Sequence, residues 1–359
     1  MIQGFYKLGV WLGNGTIFEE TQKLVTRREW FRYQKPRGCK TLWFAGFYDG
    51  NVGIDKYAYF YSVALLSAQE KAPGLLQPVL LVGHLEENRN NTTPEIQRTK
   101  EQFYKWVESK GGIVIHKDRL SFQDVINKHY NNDPPSHRQG PFFRLDIPNI
   151  IDEHKLFDRD GICQHNDVVL YTDCDVLFTN ITISTLEITK NMVSSQNKNT
   201  KAIITYGPES HKSRKTCTNT GVMFFSSLQF GARINEILEF GANHSFDFSA
   251  YDQGLLNAYF RQNGLCTFLR PAWNYKAYWG DADESDIWLI HFHGPKPDGR
   301  TLDCLASGNL NSTTCSGKDG APYENLVRKG LDADGGHLAN KTLMKIYGYT
   351  ELYDKGWKP

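Results

Sequence analysis

Apolar and polar positions alternate along the chain in blocks that read as strands and helices in turn. "TLWFAGF", Thr41 to Phe47, is a short buried run closed by the turn-forming "YDGN". Apolar residues then recur at helical spacing in "YAYFYSVALLSAQEK" from Tyr57. A second buried strand, Gln77–His84, is followed by a helix over Thr93–Gly111 with a cap-then-proline start and a glycine stop, and by a third strand in "GIVIHK". This βαβαβ order implies a mostly parallel sheet flanked by helices, because parallel neighbours need crossover connections.

Further along, "PPSHRQGPFFRLDIPNII" reads as a lead-in to the buried strand "VVLY". A polar run over 190–201, strands in "KAIITYG" and "NTGVMFFSS", helices around "INEILEFG" and "DQGLLNAYF", and a strand in "DIWLIHFHG" follow. The pattern divides the chain into an N-terminal extension (1–40), a central α/β domain (41–300) that falls into halves 41–180 and 181–300, and a C-terminal extension (301–359).

Charge changes this picture little. Forty-one basic and 40 acidic side chains leave a formal net charge of +1, so no global field favours nucleic acid. Aromatics make up 13% of the chain, which suits either ordinary packing or stacking on sugars and bases. The seven cysteines show no CxxC pair and no zinc spacing, and read as free thiols; only Cys304 and Cys315 are close enough in sequence to suggest a local disulfide. No stretch is long and apolar enough to span a membrane, and as written the chain reads as soluble and cytoplasmic. Asn-X-Ser/Thr patterns at Asn14, Asn90, Asn91, Asn180, Asn243, Asn311 and Asn340 suit a secretory-pathway lumen instead. Oligomeric state leaves no signal.

Candidate chemistry begins with Asp-X-Asp. The chain has four such triplets, Asp158/Asp160, Asp173/Asp175, Asp281/Asp283 and Asp332/Asp334, so the bare pattern carries little. Only Asp173 and Asp175 follow a buried strand, whose end directs both carboxylates toward the crevice where α/β sheets bind ligands. Paired carboxylates there suit a hard divalent cation that shares phosphate oxygens.

In order, "FFRLDIPNII", the Asp173/Asp175 triplet, "TNTGVMFFSS", "YDQGLLNAYF" and "IHFHGPKP" resemble glycosyltransferase family 8, the glycogenin and galactosyltransferase group. The resemblance runs roughly from Thr41 to Pro297 and implies a GT-A fold, Rossmann-like, with a mostly parallel central sheet. It implies a retaining hexosyl- or pentosyltransferase that moves a sugar from a nucleoside diphosphate, UDP by expectation, to a hydroxyl on a glycan or glycoconjugate. Mn²⁺, with Mg²⁺ as the alternative, would be held by Asp173, Asp175 and His291, with Cys174 between the acids at the nucleotide; His293 is an alternative ligand.

The resemblance also places Gly294 and Lys296 at the phosphates, although "HFHGPKPDG" is one residue shorter before the lysine than the family pattern. Arg144 would lie along the donor, or else snorkel from a helix. Asn219 and Gly221 match a turn at the donor sugar. Asp252 and Gln253 match the pair beside the transferred sugar, and an Asp there also suits a helix N-terminus. Phe44, Ala45, Gly46 and Tyr48, with Asp49 and Asn51, would form the base pocket. Trp273, Asn274, Tyr275 and Trp279 are candidates for a sugar platform or for core. Competing readings are an inverting transferase, a sugar nucleotidyltransferase, which usually shows a basic Gly-rich loop after the first strand, and a non-catalytic carbohydrate- or nucleotide-binding module.

Overall fold

The computed structural model describes residues 39–49, 54–84, 93–129, 136–163, 167–194, 201–208, 219–276 and 287–291. The chain divides into two units, Met1–Cys39 and Lys40–Pro359, and every element below belongs to the second.

The first three strands form as their apolar runs predict. β1 (Thr41–Asp49), β2 (Leu76–His84) and β3 (Ile113–Lys117) pair in parallel, with α1 (Ile54–Lys71) and α2 (Pro94–Ser109) as the crossovers. Proline opens α2, where its missing N–H costs nothing, and Gly111 at φ 78° ends the segment in a left-handed turn. α3 (Gln123–His129) and α4 (Ser136–Glu153) come next. α4 is the stretch that sequence reads only as a lead-in, and it carries Pro141 and Pro148 in its interior. Burial of Phe142, Phe143, Leu145, Ile147, Ile150 and Ile151 in one cluster outweighs the two missing backbone donors.

β4 (Val168–Thr172) lies at the centre, parallel to β1 on one side and antiparallel to β7 (Val222–Ser226) on the other. β6 (Ile204–Tyr206) and β8 (Cys266–Phe268) complete the sheet in the order β3-β2-β1-β4-β7-β6-β8, in which β7 alone runs backwards. A mostly parallel α/β sheet is therefore observed. Side chains of each strand alternate between two cores. Leu42, Phe44, Tyr171 and Met223 pack toward α4, α7 (Ile234–Asn243) and α8 (Asp252–Gln262); Trp43, Ala45, Leu170 and Phe224 pack toward α1, α2 and α5 (Ile183–Asn191). Burial on both faces explains why these strands are continuous apolar runs.

The expected strand in "DIWLIHFHG" is short, and it leaves the main sheet. β9 (Leu289–His291) pairs antiparallel with β5 (Val176–Phe178), with Val176 opposite His291. A short helix, α6 (Ser227–Gly231), links β7 to α7.

Not all cysteines are free thiols: Cys39 and Cys163 are both disulfide-bonded, while Cys174 and Cys266 are free. Cys39 has no cysteine nearer in sequence than Cys163, so no short spacing signals its bond. Cys217, Cys304 and Cys315 lie outside the described residues, as do Asn51, Trp279, His293, Gly294, Lys296 and most of both extensions. Among the described residues, no helix is long and apolar enough to cross a membrane.

Candidate active site

The chain leaves β4 at Thr172, and the backbone N–H of Asp173 donates to the Gly221 carbonyl at 2.7 Å, so the end of β4 is clamped to the start of β7. Asp175 follows and runs directly into β5, whose pairing with β9 brings His291 alongside. Each of Asp173, Asp175 and His291 offers one ligand atom within 4.8 Å of the others. His291 Nε2 lies 3.5 Å from Asp173 Oδ2 and 3.7 Å from Asp175 Oδ1. These separations exceed good hydrogen bonds and suit three donors arranged around one ion.

Protonation favours the same use. Burial and the Lys276 ammonium lower the His291 pKa more than the two carboxylates raise it, so the ring is neutral at pH 7. Two carboxylates and a neutral imidazole form a donor set that fits a borderline divalent cation such as Mn²⁺. Space at the site depends on Gly221, where a Cβ would stand 2.2 Å from His291 Cε1 and 2.7 Å from Asp173 Oδ2.

Arg144, on α4, reaches into this cluster and is buried rather than snorkelling to solvent. Its Nη1 donates to the Thr220 carbonyl (2.8 Å) and hydroxyl (2.6 Å), its Nη2 to Asp173 Oδ1 (3.2 Å), and its guanidinium lies over the Tyr171 ring at 4.6 Å. Burial works against this charge, but Asp252, Tyr171 and Asp173 more than offset it and hold the guanidinium ionised.

Asp252 opens α8 in its first turn, directly after Tyr251, whose φ of 50° is a strained conformation for a non-glycine residue. Its Oδ2 lies 3.0 Å from Arg144 Nε, yet that nitrogen's single hydrogen is directed at the Pro141 carbonyl, also at 3.0 Å. Oδ2 is consequently a buried acceptor with no hydrogen bond. Burial pushes the Asp252 pKa up to about 7, against the pull of Arg144 and with help from Asp173. A buried carboxylate poised near neutrality beside an arginine is an arrangement that active sites use and ordinary cores avoid. Gln253 Oε1 accepts from the Thr220 N–H (3.2 Å) and from Asn219 Nδ2 (3.4 Å), which ties the α8 start to the turn before β7.

The structure therefore brings together Arg144, Asp173, Asp175, Asn219, Gly221, Asp252, Gln253 and His291. Other candidates are placed differently. Phe44 and Ala45 are fully buried in opposite cores, so their side chains offer a base nothing and only their backbone is available. Cys174 is also buried, with its thiol 3.5 Å from the Gly46 carbonyl, and the side chains of Tyr48 and Asp49 lie outside the description. Trp273 is core: fully buried, edge-on to Phe224 and Trp288, with its Nε1–H donating to Thr189 Oγ1 at 2.7 Å. Asn274 is fully buried too and Tyr275 nearly so, which removes all three from an acceptor platform. The sequence does not single out Thr220 and Lys276, which contact Arg144 and His291 respectively; Lys276, a cation between Tyr275 and Ala277, carries a faint signal, and Thr220, between Asn219 and Gly221, carries none.

No family model and no curated protein matches the sequence. Among solved structures the chain is similar to the glycosyltransferase GlyE of Streptococcus pneumoniae TIGR4, at 14% identity and a TM-score of 0.47, over 73% of this chain and 57% of that one. The chain thus spans little more than half the length of GlyE. It is similar to the galactosyltransferase LgtC, solved with donor and acceptor sugar analogues, at 15% identity and a TM-score of 0.46, over 80% of this chain and 95% of that one. A third similar structure is mouse xyloside xylosyltransferase 1, at 14% identity and a TM-score of 0.42, over 72% and 99%.

Proposed function

We propose that the chain is a divalent-metal-dependent, retaining glycosyltransferase that moves a sugar from a nucleoside diphosphate, UDP by preference, to a hydroxyl acceptor on a glycan. The observation that carries this reading is the grouping of Asp173, Asp175 and His291 just beyond the end of β4, with Asp252 and Gln253 linked to it through Arg144 and the 219–221 turn. In the reaction, the bond from the sugar C1 to the β-phosphate oxygen breaks, a bond from C1 to the acceptor oxygen forms, and the acceptor loses its proton. A bound cation would neutralise the charge that builds on the leaving diphosphate. Arg144 bridges Asp173, one of the metal ligands, to Asp252, and its positive charge lowers the cost of keeping Asp252 ionised. Asp252, ionised beside Arg144, would supply negative charge for the oxocarbenium-like sugar.

The test is hydrolysis of a panel of nucleoside diphosphate sugars without acceptor, with Mn²⁺ or with EDTA. Mn²⁺-dependent release of UDP from one UDP-sugar, with the anomer of the released sugar matching the donor, is the expected result. Release of pyrophosphate from a sugar phosphate and a nucleoside triphosphate would instead identify a nucleotidyltransferase, and binding without release a non-catalytic module.

Bonded Cys39 and Cys163, together with exposed Asn180 and Asn243 in Asn-X-Ser/Thr patterns, support an oxidising lumen as the place of work over the cytoplasm. Alkylation of the denatured, unreduced protein is expected to modify Cys174 and Cys266 while Cys39 and Cys163 stay protected until a reductant is added. Peptide mass mapping reads the difference, and modification of all four without reductant would point back to the cytoplasm.

A further inference from the structure

We propose that Asn274 is a positioning residue that fixes the tautomer of His291, so that Nε2 presents a lone pair to a divalent cation while the ring is tied to the turn carrying Asn219. The inference rests on the metal reading of Asp173, Asp175 and His291 and deepens it.

A neutral imidazole carries one proton, and only the nitrogen without it can ligate a metal. His291 Nδ1 has two neighbours, Asn274 Oδ1 at 2.9 Å and Lys276 Nζ at 3.1 Å. An amide oxygen can only accept and an ammonium can only donate, so the two select opposite tautomers. A backbone group decides which way Asn274 faces. The Gly221 N–H donates to Asn219 Oδ1 at 3.1 Å, which makes that atom an acceptor, and the Asn274 group 3.0 Å from it must therefore be the NH₂. With Nδ2 directed at Asn219, Oδ1 is left facing His291; at 2.9 Å, on a side chain that cannot turn, it takes the Nδ1–H in preference to the Lys276 ammonium, which stands 3.1 Å away on a flexible stem with three rotatable donors. Nε2 then carries the lone pair, on the side of Asp173 and Asp175.

Packing leaves Asn274 no second position. The residue is fully buried, and a Cβ at Gly207 would stand 2.1 Å from its Nδ2. His291 is itself held by its N–H to the Tyr275 carbonyl at 2.8 Å, so ring and amide are carried by one pair of adjacent segments.

Mn²⁺ titration of the full chain, read by the electron paramagnetic resonance of free Mn²⁺, tests this without any turnover. Asn274→Ala is expected to lose roughly 10- to 100-fold in Mn²⁺ affinity. Asn274→Asp keeps an acceptor for Nδ1–H and is expected to stay within a few-fold of the wild type. Gly207→Ala, which displaces the amide without removing it, is expected to weaken binding as well and stands in if Asn274→Ala does not fold. Equal Mn²⁺ affinity in wild type, Asn274→Ala and Gly207→Ala would overturn the inference alone. Equal loss in Asn274→Ala and Asn274→Asp would overturn it too, since the side chain would then act by packing and not as an acceptor. A wild-type chain that binds no Mn²⁺ would remove the metal reading and this inference with it.

Discussion

Asp175→Ala is expected to reduce Mn²⁺-dependent release of the nucleoside diphosphate roughly 10³-fold or more, the scale of losing the main electrostatic stabiliser of a leaving group. The loss follows from geometry and not from folding. Asp175 immediately precedes β5 and His291 ends β9, the two strands of a separate ribbon whose backbone pairing does not depend on the carboxylate. The two carboxylates crowd negative charge around the site, so in EDTA the variant is expected to melt at or slightly above the wild-type temperature. Adding Mn²⁺ at about 100 times its dissociation constant stabilises a binding protein by about 2.7 kcal/mol, or roughly 5 °C for a domain of this size. The wild type is expected to show that rise and Asp175→Ala to lack it. Asp158 and Asp160 form the same triplet on an exposed turn, and Asp158→Asn with Asp160→Asn is expected to leave both activity and the Mn²⁺ rise unchanged. Full turnover in Asp175→Ala would sink the metal reading.

That contrast between two identical triplets shows what the sequence makes legible. Asp173 and Asp175 stand out because Val168–Thr172 is apolar on both faces, the mark of a central strand in a parallel sheet. Local pattern also reveals β1 to β3, α1, α2, α7 and α8, where periodicity agrees with burial. α4 is hidden because two prolines argue against a helix at short range, and only its burial against the sheet decides otherwise. Trp273 reads equally as platform or core, since an aromatic side chain carries no mark of which surface it meets; Phe224 and Trp288 settle it from distant positions. Asn274 is the sharpest case. Its partners His291, Asn219 and Pro208 come from three other segments, and nothing in "AWNYK" announces a relay. Reversed β7 and the β5–β9 ribbon belong to the same class, being facts of pairing that no single segment encodes.

Asp252→Asn is expected to move activity and stability in opposite directions. On the proposed reading the variant loses the negative charge that would stabilise the sugar, and turnover should fall roughly 10²- to 10³-fold, as for removal of one electrostatic group at a reacting centre. Stability follows from the raised pKa. Between the ordinary aspartate value near 4 and the folded value of about 7, the folded chain holds a proton that the unfolded chain has released. Its stability therefore falls as pH rises through that window, is full below it, and levels off above. Asparagine is locked in the neutral form, so the difference from wild type should be near zero at pH 4 and grow to a plateau above pH 7. Arg144 loses one carboxylate in the variant but keeps Asp173 at 3.2 Å and the Thr220 carbonyl at 2.8 Å, which limits the cost on its side. The net gain at pH 8 is expected to be roughly 2 kcal/mol, about 4 °C in melting temperature, measured by calorimetry in EDTA so that no bound cation shifts the comparison. Destabilisation of equal size at pH 5 and pH 8 would mean that Asp252 serves mainly as the counter-ion of Arg144. A gain confined to the higher pH, coupled to lost turnover, would show a carboxylate kept ionised for chemistry at the expense of the fold.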